Sequence, residues 1–150
     1  MKKIIFLFAA FIYCFSGKSQ ALNPVTWTAT YKAISATEGE IILQAKIEKG
    51  WHTYSQRPTE AGPIPTSFDF KALPANYELN GKTIETDAHE EFVKAFDAKI
   101  FVFTDKAEFK QKIKLKGKAG FNVLVKIEYM TCNDMMCLPP KTIELMVKIQ

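Results

Sequence analysis

The amino-acid sequence predicts an all-β domain with an immunoglobulin-like β-sandwich fold. Apolar and polar residues alternate with period two in several short runs, which is typical of strands that have one buried face. Gly, Pro, Asn and Asp separate these runs, and no stretch sustains a helical period. Seven or more short strands of this kind favour a sandwich over a barrel.

The first half of the chain contains four of the predicted strands. The inward faces of the first two consist of Trp27, Ala29, Tyr31 and Ala33, and of Ile41, Leu43, Ala45 and Ile47. A turn at Lys49-Gly50 precedes an extended run from Trp51 to Gln56, which the proline-rich passage from Arg57 to Pro65 ends. Phe68 and Phe70 mark the fourth strand.

The second half repeats the alternation. Three inward faces consist of Phe109, Gln111, Ile113 and Leu115, then Phe121, Val123, Val125, Ile127 and Tyr129, then Ile143, Leu145, Val147 and Ile149. The other face of the first of these strands is expected to be solvated and to discourage edge pairing, and it consists of Lys110, Lys112, Lys114 and Lys116. A turn is expected at Lys118-Ala119-Gly120, and only the segment from Asp87 to Asp97 could hold a helical turn.

The N-terminus has the features of a secretory signal peptide. Met1-Lys2-Lys3 precedes an apolar run from Ile4 to Phe15 and the small-residue sequence Ser19-Gln20-Ala21, as in an n-region, an h-region and a cleavage site. The apolar run is shorter than the ~18 residues that a membrane-spanning helix needs. We therefore expect a signal peptide at residues 1–21, cleavage near Ala21 and a soluble periplasmic domain at residues 22–150.

The charge balance argues against a nucleic-acid partner. The chain has 20 basic and 16 acidic side chains, a net charge of +4, and loss of Lys2, Lys3 and Lys18 with the signal peptide would lower it to +1. Export and a near-neutral charge together exclude nucleic acid as a partner. We expect a monomer without a cofactor.

Two cysteines remain after the signal peptide, Cys132 and Cys137, and in an exported protein they are able to form a disulfide. A ring of about six residues constrains the unfolded chain by only ~2 kcal/mol, against ~4 kcal/mol for a bridge across about sixty residues. The polar turn Asn133-Asp134 would place the pair at an accessible hairpin tip. These features favour a redox-active disulfide, and a structural disulfide remains open.

A soft-metal site is the third interpretation of the same segment. Met130, Met135 and Met136 flank the thiols, and thioether and thiolate ligands suit Cu(I). Methionine is also an adaptable apolar contact at docking surfaces. His52 and His89 are distant in sequence and are expected to be ordinary surface or core histidines, so we assign no metal ligand.

Three segments carry a resemblance to a known family. They are Tyr129 to Pro140 (YMTCNDMMCLPP), Lys49 to Ser55 (KGWHTYS) and Gly62 to Phe68 (GPIPTSF). They resemble the periplasmic N-terminal domain of the DsbD family of thiol:disulfide interchange proteins, and the likeness covers nearly all of the mature chain. It implies an immunoglobulin-like domain that takes electrons from a thioredoxin-like domain, itself fed through a membrane domain, and passes them to periplasmic disulfide-handling proteins.

The resemblance also implies roles for individual residues. Cys137 would form mixed disulfides with partners and Cys132 would resolve them. The segment His89-Glu90-Glu91-Phe92 is similar to the mobile cap loop that covers the cysteines in the family, with Phe92 as the shield. An ordinary core aromatic is the alternative for Phe92. The expected partner surface consists of Tyr129, Met135, Met136 and Pro139.

These expectations describe an electron carrier of the protein-disulfide reductase type rather than a small-molecule enzyme. Its donor would be a thioredoxin-like protein or a membrane thiol reductase, and its acceptor a periplasmic disulfide isomerase or a thioredoxin-like protein. Glu90, Glu91 and Asp134, if near the thiols, would raise the thiol pKa and keep the reduced pair unreactive until a partner docks. Family members continue into membrane and thioredoxin-like domains whereas this sequence ends at Gln150, so a stand-alone carrier is one expectation. The best-known members also have one more residue between the cysteines.

Overall fold

The computed structural model describes residues 22–60, 62–71 and 73–150, so the predicted signal peptide lies outside the described residues. In chain order the strands are β1 (Val25–Ala33), β2 (Glu38–Ile47), β3 (His52–Tyr54), β4 (Ser67–Phe70), β5 (Tyr77–Leu79), β6 (Ile84–Thr86), β7 (His89–Val93), β8 (Ala98–Thr104), β9 (Lys106–Leu115), β10 (Phe121–Tyr129), β11 (Thr131–Cys132) and β12 (Lys141–Ile149). A 3₁₀ turn, Lys94–Phe96, joins β7 to β8. Within the described ranges no helix is long and apolar enough to cross a membrane.

Two antiparallel sheets enclose the main core. The first has the order β1-β2-β9-β5, with β6 also pairing with β9, and the second has the order β12-β10-β4. Leu43 lies opposite Phe109 in the first sheet, and Val125 lies opposite Phe70 in the second. The facing rows of apolar side chains form one buried cluster, so the predicted sandwich is present.

Period-two patterning positions these strands. Buried and solvent-facing residues alternate along β2, β9 and β10, since successive side chains of a strand point to opposite faces. On β9 the lysines face outward, while Phe109, Ile113 and Leu115 face the core. Gly50 has a φ of 83°, which is why the turn between β2 and β3 requires glycine.

A third antiparallel sheet, in the order β11-β3-β8-β7, lies beside the sandwich and carries both cysteines at one edge. Its buried residues form a small cluster of their own, namely Tyr54, Val93, Ile100, Val102 and Cys132. Strand β8 takes part in both cores because Val102 belongs to the small cluster and its neighbour Phe103 belongs to the main one. This strand ties the third sheet to the sandwich.

The carboxylate of Glu85, on β6, anchors the segment that follows β3. It accepts hydrogen bonds from Ser55 Oγ at 2.5 Å and from the Gln56 backbone N–H at 2.8 Å. Arg57 Nε lies 3.5 Å from Oε1 of this carboxylate. The Cζ atom of the same guanidinium lies 3.9 Å from the ring centroid of Phe101, over which it stacks. The segment after β3 is therefore fixed by the Glu85 carboxylate and by the stacking of Arg57 on Phe101.

Two strands of the third sheet, β7 and β8, were not predicted from the sequence. The segment from Asp87 to Asp97 was expected to allow a helical turn, and it contains the 3₁₀ turn Lys94–Phe96, but the edge strand β7 within it was not expected. Ala98–Thr104 received no assignment, because β8 has buried residues on both faces and so lacks a period-two signal. The 3₁₀ turn between the strands ends at Asp97, whose φ of 50° reverses the chain direction.

Candidate functional site

The candidate site is a disulfide between Cys132 and Cys137 at the tip of a hairpin. The two sulfur atoms are bonded at 2.07 Å and the Cα atoms lie 4.0 Å apart. Cys132 is 0% exposed, whereas Cys137 is half-buried. The two sulfur atoms therefore differ in their access to a partner from outside.

Asn133 fixes the loop between the cysteines. Its side-chain Oδ1 accepts the backbone N–H groups of Met135 at 2.9 Å and Met136 at 2.8 Å. Its own backbone N–H donates to the Met136 carbonyl at 2.9 Å. This Asx turn satisfies the loop backbone locally. The side chains of Met135 and Met136 are left 88% and 50% exposed.

The base of the hairpin is bonded to β3. Cys132 lies directly opposite His52, and Thr131 lies opposite Thr53. Thr131 Oγ1 donates to the His52 carbonyl at 2.7 Å, and Thr53 Oγ1 donates to the Met130 carbonyl at 2.9 Å. These bonds are buried or partly buried and hold the cysteine strand in register.

A histidine and a tyrosine share the face of the sheet that carries the buried sulfur. His52 Nε2 lies 3.0 Å from the hydroxyl of Tyr54. Burial lowers the pKa of His52, an effect that the carboxylates of Glu91 and Asp134 oppose. Burial raises the pKa of Tyr54, with Glu91 adding to the increase, so the phenol keeps its proton.

A surface cavity of about 280 Å³ opens between the hairpin loop and β7. Its lining includes His52, Glu91, Phe92, Asp134, Met135 and Met136. The site therefore combines a disulfide, an imidazole, two carboxylates and exposed apolar side chains at one end of the molecule.

The structure brings together only part of the predicted cap. Glu91 and Phe92 line the cavity, whereas the Glu90 carboxylate pairs with Lys99 Nζ at 3.4 Å. The cap segment was expected to be a loop, but it is an edge strand that pairs with β8. Phe92 is 54% exposed, and it is Phe96, from the adjoining turn, that packs against the small cluster containing Cys132.

The residues of the predicted partner surface do not lie in one patch. Met135 and Met136 border the cavity beside the cysteines. Pro139 is exposed beside a second cavity of about 280 Å³, which also reaches Leu22 and Pro24. Tyr129 is buried in the main core, where its ring centroid lies 5.5 Å from that of Trp27. It therefore presents little open surface to a partner.

Sequence reasoning did not assign roles to His52 or Phe96. His52 was expected to be an ordinary histidine because it is eighty residues from Cys132 along the chain. Only the pairing of β3 with β11 brings the two together, and the Trp51 to Gln56 run gives no indication of that pairing. Among the residues that the structure describes, no group of three His, Cys, Asp or Glu side chains could hold a metal ion.

The fold and the site together define an immunoglobulin-like domain with a short-ring disulfide beside a surface cavity. The chain belongs to the family described as "Thiol:disulfide interchange protein DsbD, N-terminal", which matches residues 19–148. This match confirms the family resemblance found in the sequence. Among curated proteins, none matches the chain.

Solved structures with the same fold support the sandwich prediction. The reduced DsbD N-terminal domain of Neisseria meningitidis aligns with a TM-score of 0.54 at 14% identity, over 80% of this chain and 83% of that one. The N-terminal periplasmic domain of ScsB from Proteus mirabilis aligns with a TM-score of 0.52 at 21% identity, over 83% of this chain and 45% of that one. A complex of the DsbD and PilB N-terminal domains from Neisseria meningitidis gives a TM-score of 0.52 at 13% identity, over 80% of each chain. The prediction of an immunoglobulin-like sandwich is confirmed.

Proposed function

We propose that this domain exchanges its Cys132–Cys137 disulfide with a thioredoxin-like partner and relays reducing equivalents to periplasmic disulfide proteins. One observation carries the proposal: the bridge joins the buried Cys132 to the partly exposed Cys137, and a surface cavity adjoins the loop between them. Exchange needs access to one sulfur along the bond, and this asymmetry provides it. Membership of a thiol:disulfide interchange family supports the same function.

Exposure decides which sulfur a partner attacks. The thiolate of a reduced partner attacks Sγ of Cys137, and the bond to Cys132 breaks as the new disulfide forms. Cys132 leaves with the bonding electron pair. The second thiol of the partner then displaces Cys137, so the partner ends oxidised and the domain carries two thiols. The same steps in reverse deliver the electrons to an oxidised acceptor.

Two single substitutions test these assignments against each other. Cys132→Ser leaves the partly exposed Cys137 free, and we expect its thiolate to attack a single-cysteine thioredoxin whose thiol has been converted to the thionitrobenzoate disulfide, releasing thionitrobenzoate and forming a stable mixed disulfide. Cys137→Ser leaves only the buried Cys132, and we expect it to react at least about tenfold more slowly because access governs exchange. Mass spectrometry of alkylated samples measures both rates. Equal rates, or faster trapping by Cys137→Ser, would contradict the assignment.

The partner is expected to dock on the apolar side chains around the cavity. Phe92, Met135 and Met136 are each at least half exposed there, and methionine adapts readily to different partner surfaces. A complex of a DsbD N-terminal domain with a PilB N-terminal domain from Neisseria meningitidis supports a protein partner for this fold. The donor and acceptor of this chain, and its action as a monomer, are part of the proposal.

Met146 provides a matched control for docking, since it is 61% exposed on β12, outside the cavity lining. We expect Met135→Ser with Met136→Ser to slow reduction by thioredoxin about tenfold, the effect of losing roughly 1.4 kcal/mol of contact energy. Reduction by dithiothreitol should be unchanged. Met146→Ser should change neither rate. An equal loss with both reductants would show that the double variant alters the disulfide itself rather than docking.

The strand β7 and the turn after it are proposed to limit access of other thiols to the disulfide. Phe92 lines the cavity, and Phe96 packs against the cluster that contains Cys132. Phe92→Ala should speed reduction by glutathione several-fold if Phe92 is the shield. Phe96→Ala should do so if that role belongs to the partly buried ring of Phe96 instead. No change in either variant would refute a shielding role for this hairpin.

Export to the periplasm, with cleavage near Ala21, also belongs to the proposal. The basic, apolar and small-residue regions of the N-terminus support it. Intact-mass analysis of the protein purified from the periplasmic fraction should give a chain that begins at Leu22. An uncleaved chain in that fraction, or a chain found only in the cytoplasm, would contradict it.

Copper binding is the alternative function, since Met135, Met136 and His52 line one cavity beside the cysteines. Sulfur ligands suit Cu(I). Titration of the reduced protein with Cu(I) against a competing chelator distinguishes the two functions. Tight stoichiometric binding would favour a metallochaperone, and exchange with thioredoxin without such binding would favour the carrier.

A further inference from the structure

The position of His52 has a consequence for the sulfur that leaves during exchange. His52 and Cys132 are directly opposed residues of two antiparallel strands, so their side chains project from the same face of the sheet, with Cβ atoms roughly 4.5–5.5 Å apart. Tyr54, two residues along β3, lies on that face as well and contacts the imidazole. An ionisable ring therefore lies beside the buried half of the disulfide.

The buried sulfur needs a proton when the bond breaks. Attack on Cys137 releases Cys132 as a thiolate, and Cys132 is 0% exposed. A charge that is shielded from water and has no partner is strongly disfavoured. The carboxylates of Glu91 and Asp134 act on the neighbouring His52, where they favour the protonated ring. Delivery of a proton to Cys132 would remove the charge as it forms.

We propose that His52 is the residue that gives a proton to Cys132 when the disulfide is reduced and takes it back when the disulfide re-forms. The inference rests on the proposed exchange function. On reduction, the partner thiolate bonds to Sγ of Cys137, Cys132 leaves with the electron pair, and imidazolium passes its proton to that sulfur. On oxidation, neutral imidazole removes the thiol proton, and the Cys132 thiolate attacks Sγ of Cys137 in the mixed disulfide, which breaks the bond to the partner and releases the partner's thiolate.

The contact with Tyr54 suits a ring that changes protonation state. In imidazolium, and in the neutral ring left when Nδ1 gives up its proton, Nε2 keeps its hydrogen and donates it to the tyrosine oxygen, so the 3.0 Å bond persists in both states. Because burial raises the pKa of Tyr54, the hydroxyl itself stays protonated. His52 is 8% exposed and lines the cavity, which gives it a route for protons from solvent.

The charges around His52 oppose one another. Glu91 and His89 come from β7, Asp134 from the hairpin loop, and Lys94 from the turn after β7. Desolvation is the largest influence and lowers the pKa of His52, while the two carboxylates raise it. The transition from neutral to charged ring is therefore expected below the ordinary value of 6.5. Proton delivery to Cys132 should become faster as the pH falls through that range.

The two histidines of the chain provide a variant and a matched control. His52→Gln keeps a polar side chain of similar size without the titration, and His89→Gln removes the exposed histidine. We would measure reduction by dithiothreitol and by thioredoxin from pH 5 to 8, as the ratio of variant to wild-type rate, so that titration of the reductant cancels. The His52→Gln ratio should fall to about one tenth or less at acid pH, since general acid catalysis typically contributes at least 10²-fold. The His89→Gln ratio should stay within twofold of one.

The outcomes separate this inference from the proposed function. A wild-type protein that dithiothreitol reduces but thioredoxin does not would refute exchange with thioredoxin, and the dithiothreitol ratios would still test His52. A His52→Gln ratio that does not change with pH would overturn the role of His52 and leave the exchange function intact.

An NMR titration of His52 in the oxidised and reduced wild-type protein avoids the risk that the variant does not fold. The midpoint should differ between the two states, because the proton of the Cys132 thiol is present in only one of them. Identical midpoints would also overturn the proposal.

Discussion

Reduction of the Cys132–Cys137 bond should lower the free energy of unfolding by only about 2 kcal/mol. The cysteines are five residues apart in sequence, and closing a ring of about six residues removes little entropy from the unfolded chain. The main hydrophobic cluster contains neither cysteine. Since a domain of this size loses roughly 3–4 °C of Tm per kcal/mol, the Tm should fall by about 7 °C and the reduced domain should stay folded.

Differential scanning calorimetry with and without a phosphine reductant measures this difference. Near-ultraviolet circular dichroism at 25 °C reports whether the reduced protein keeps its tertiary packing. The double variant Cys132→Ala, Cys137→Ala is the control, since its Tm should not respond to the reductant. A fall of more than about 20 °C, or loss of the near-ultraviolet signal, would mean that the disulfide is a structural element, and the carrier mechanism would then be refuted.

Three further predictions concern the fold. Glu85→Ala removes the acceptor of the three donors that follow β3 and should cost about 1–3 kcal/mol in urea titration, whereas Glu78→Ala, which removes an exposed ion pair with Lys116, should cost less than about 1 kcal/mol. Equal losses would contradict the role of Glu85. Phe109→Ala empties a fully buried site of the main core and should cost about 3–5 kcal/mol by the same titration; a loss below 1 kcal/mol would be inconsistent with the packing. Burial raises the pKa of Tyr129, so the unfolded state loses its proton first and stability should decline as the pH rises above about 10. Tyr129→Phe should weaken this decline in urea midpoints between pH 8 and 11, and an undiminished decline would assign it to other groups.

The main sandwich was predictable from the sequence because its strands are buried on one face. The runs ending at Ala33, Ile47, Leu115 and Ile149 alternate clearly, and each is a strand. The expected faces point inward, except that Ala33, at the end of β1, is exposed. Strand β8 was not predictable, since its two faces contact two different apolar clusters. Apolar residues therefore occur on both faces, and the sequence of β8 does not alternate between apolar and polar residues. Period-two patterning therefore indicates strands that have one solvent-exposed face, and it misses strands that are buried on both faces.

The site was predictable only where its residues are neighbours in sequence. Cys132, Cys137 and the two exposed methionines lie within one short segment, and its composition indicated a hairpin with a disulfide. His52 reaches the site through the pairing of β3 with β11, and Phe96 reaches it because its hairpin pairs with β3 through β8. Nothing in their local sequence indicates such long-range contacts. The position of the His52 imidazole beside Cys132 is therefore visible only in the three-dimensional structure.

The interior is divided into two apolar clusters, which share strand β8 but no buried residue. Each cluster can therefore loosen without the other. Local opening of the third sheet, which carries the cysteines, disturbs only the few side chains of the small cluster. The packing of the main sandwich can stay intact during such an opening. Substitutions or length changes in the β7–β8 hairpin can therefore alter which proteins gain access to the disulfide. They should have little effect on the stability of the main sandwich.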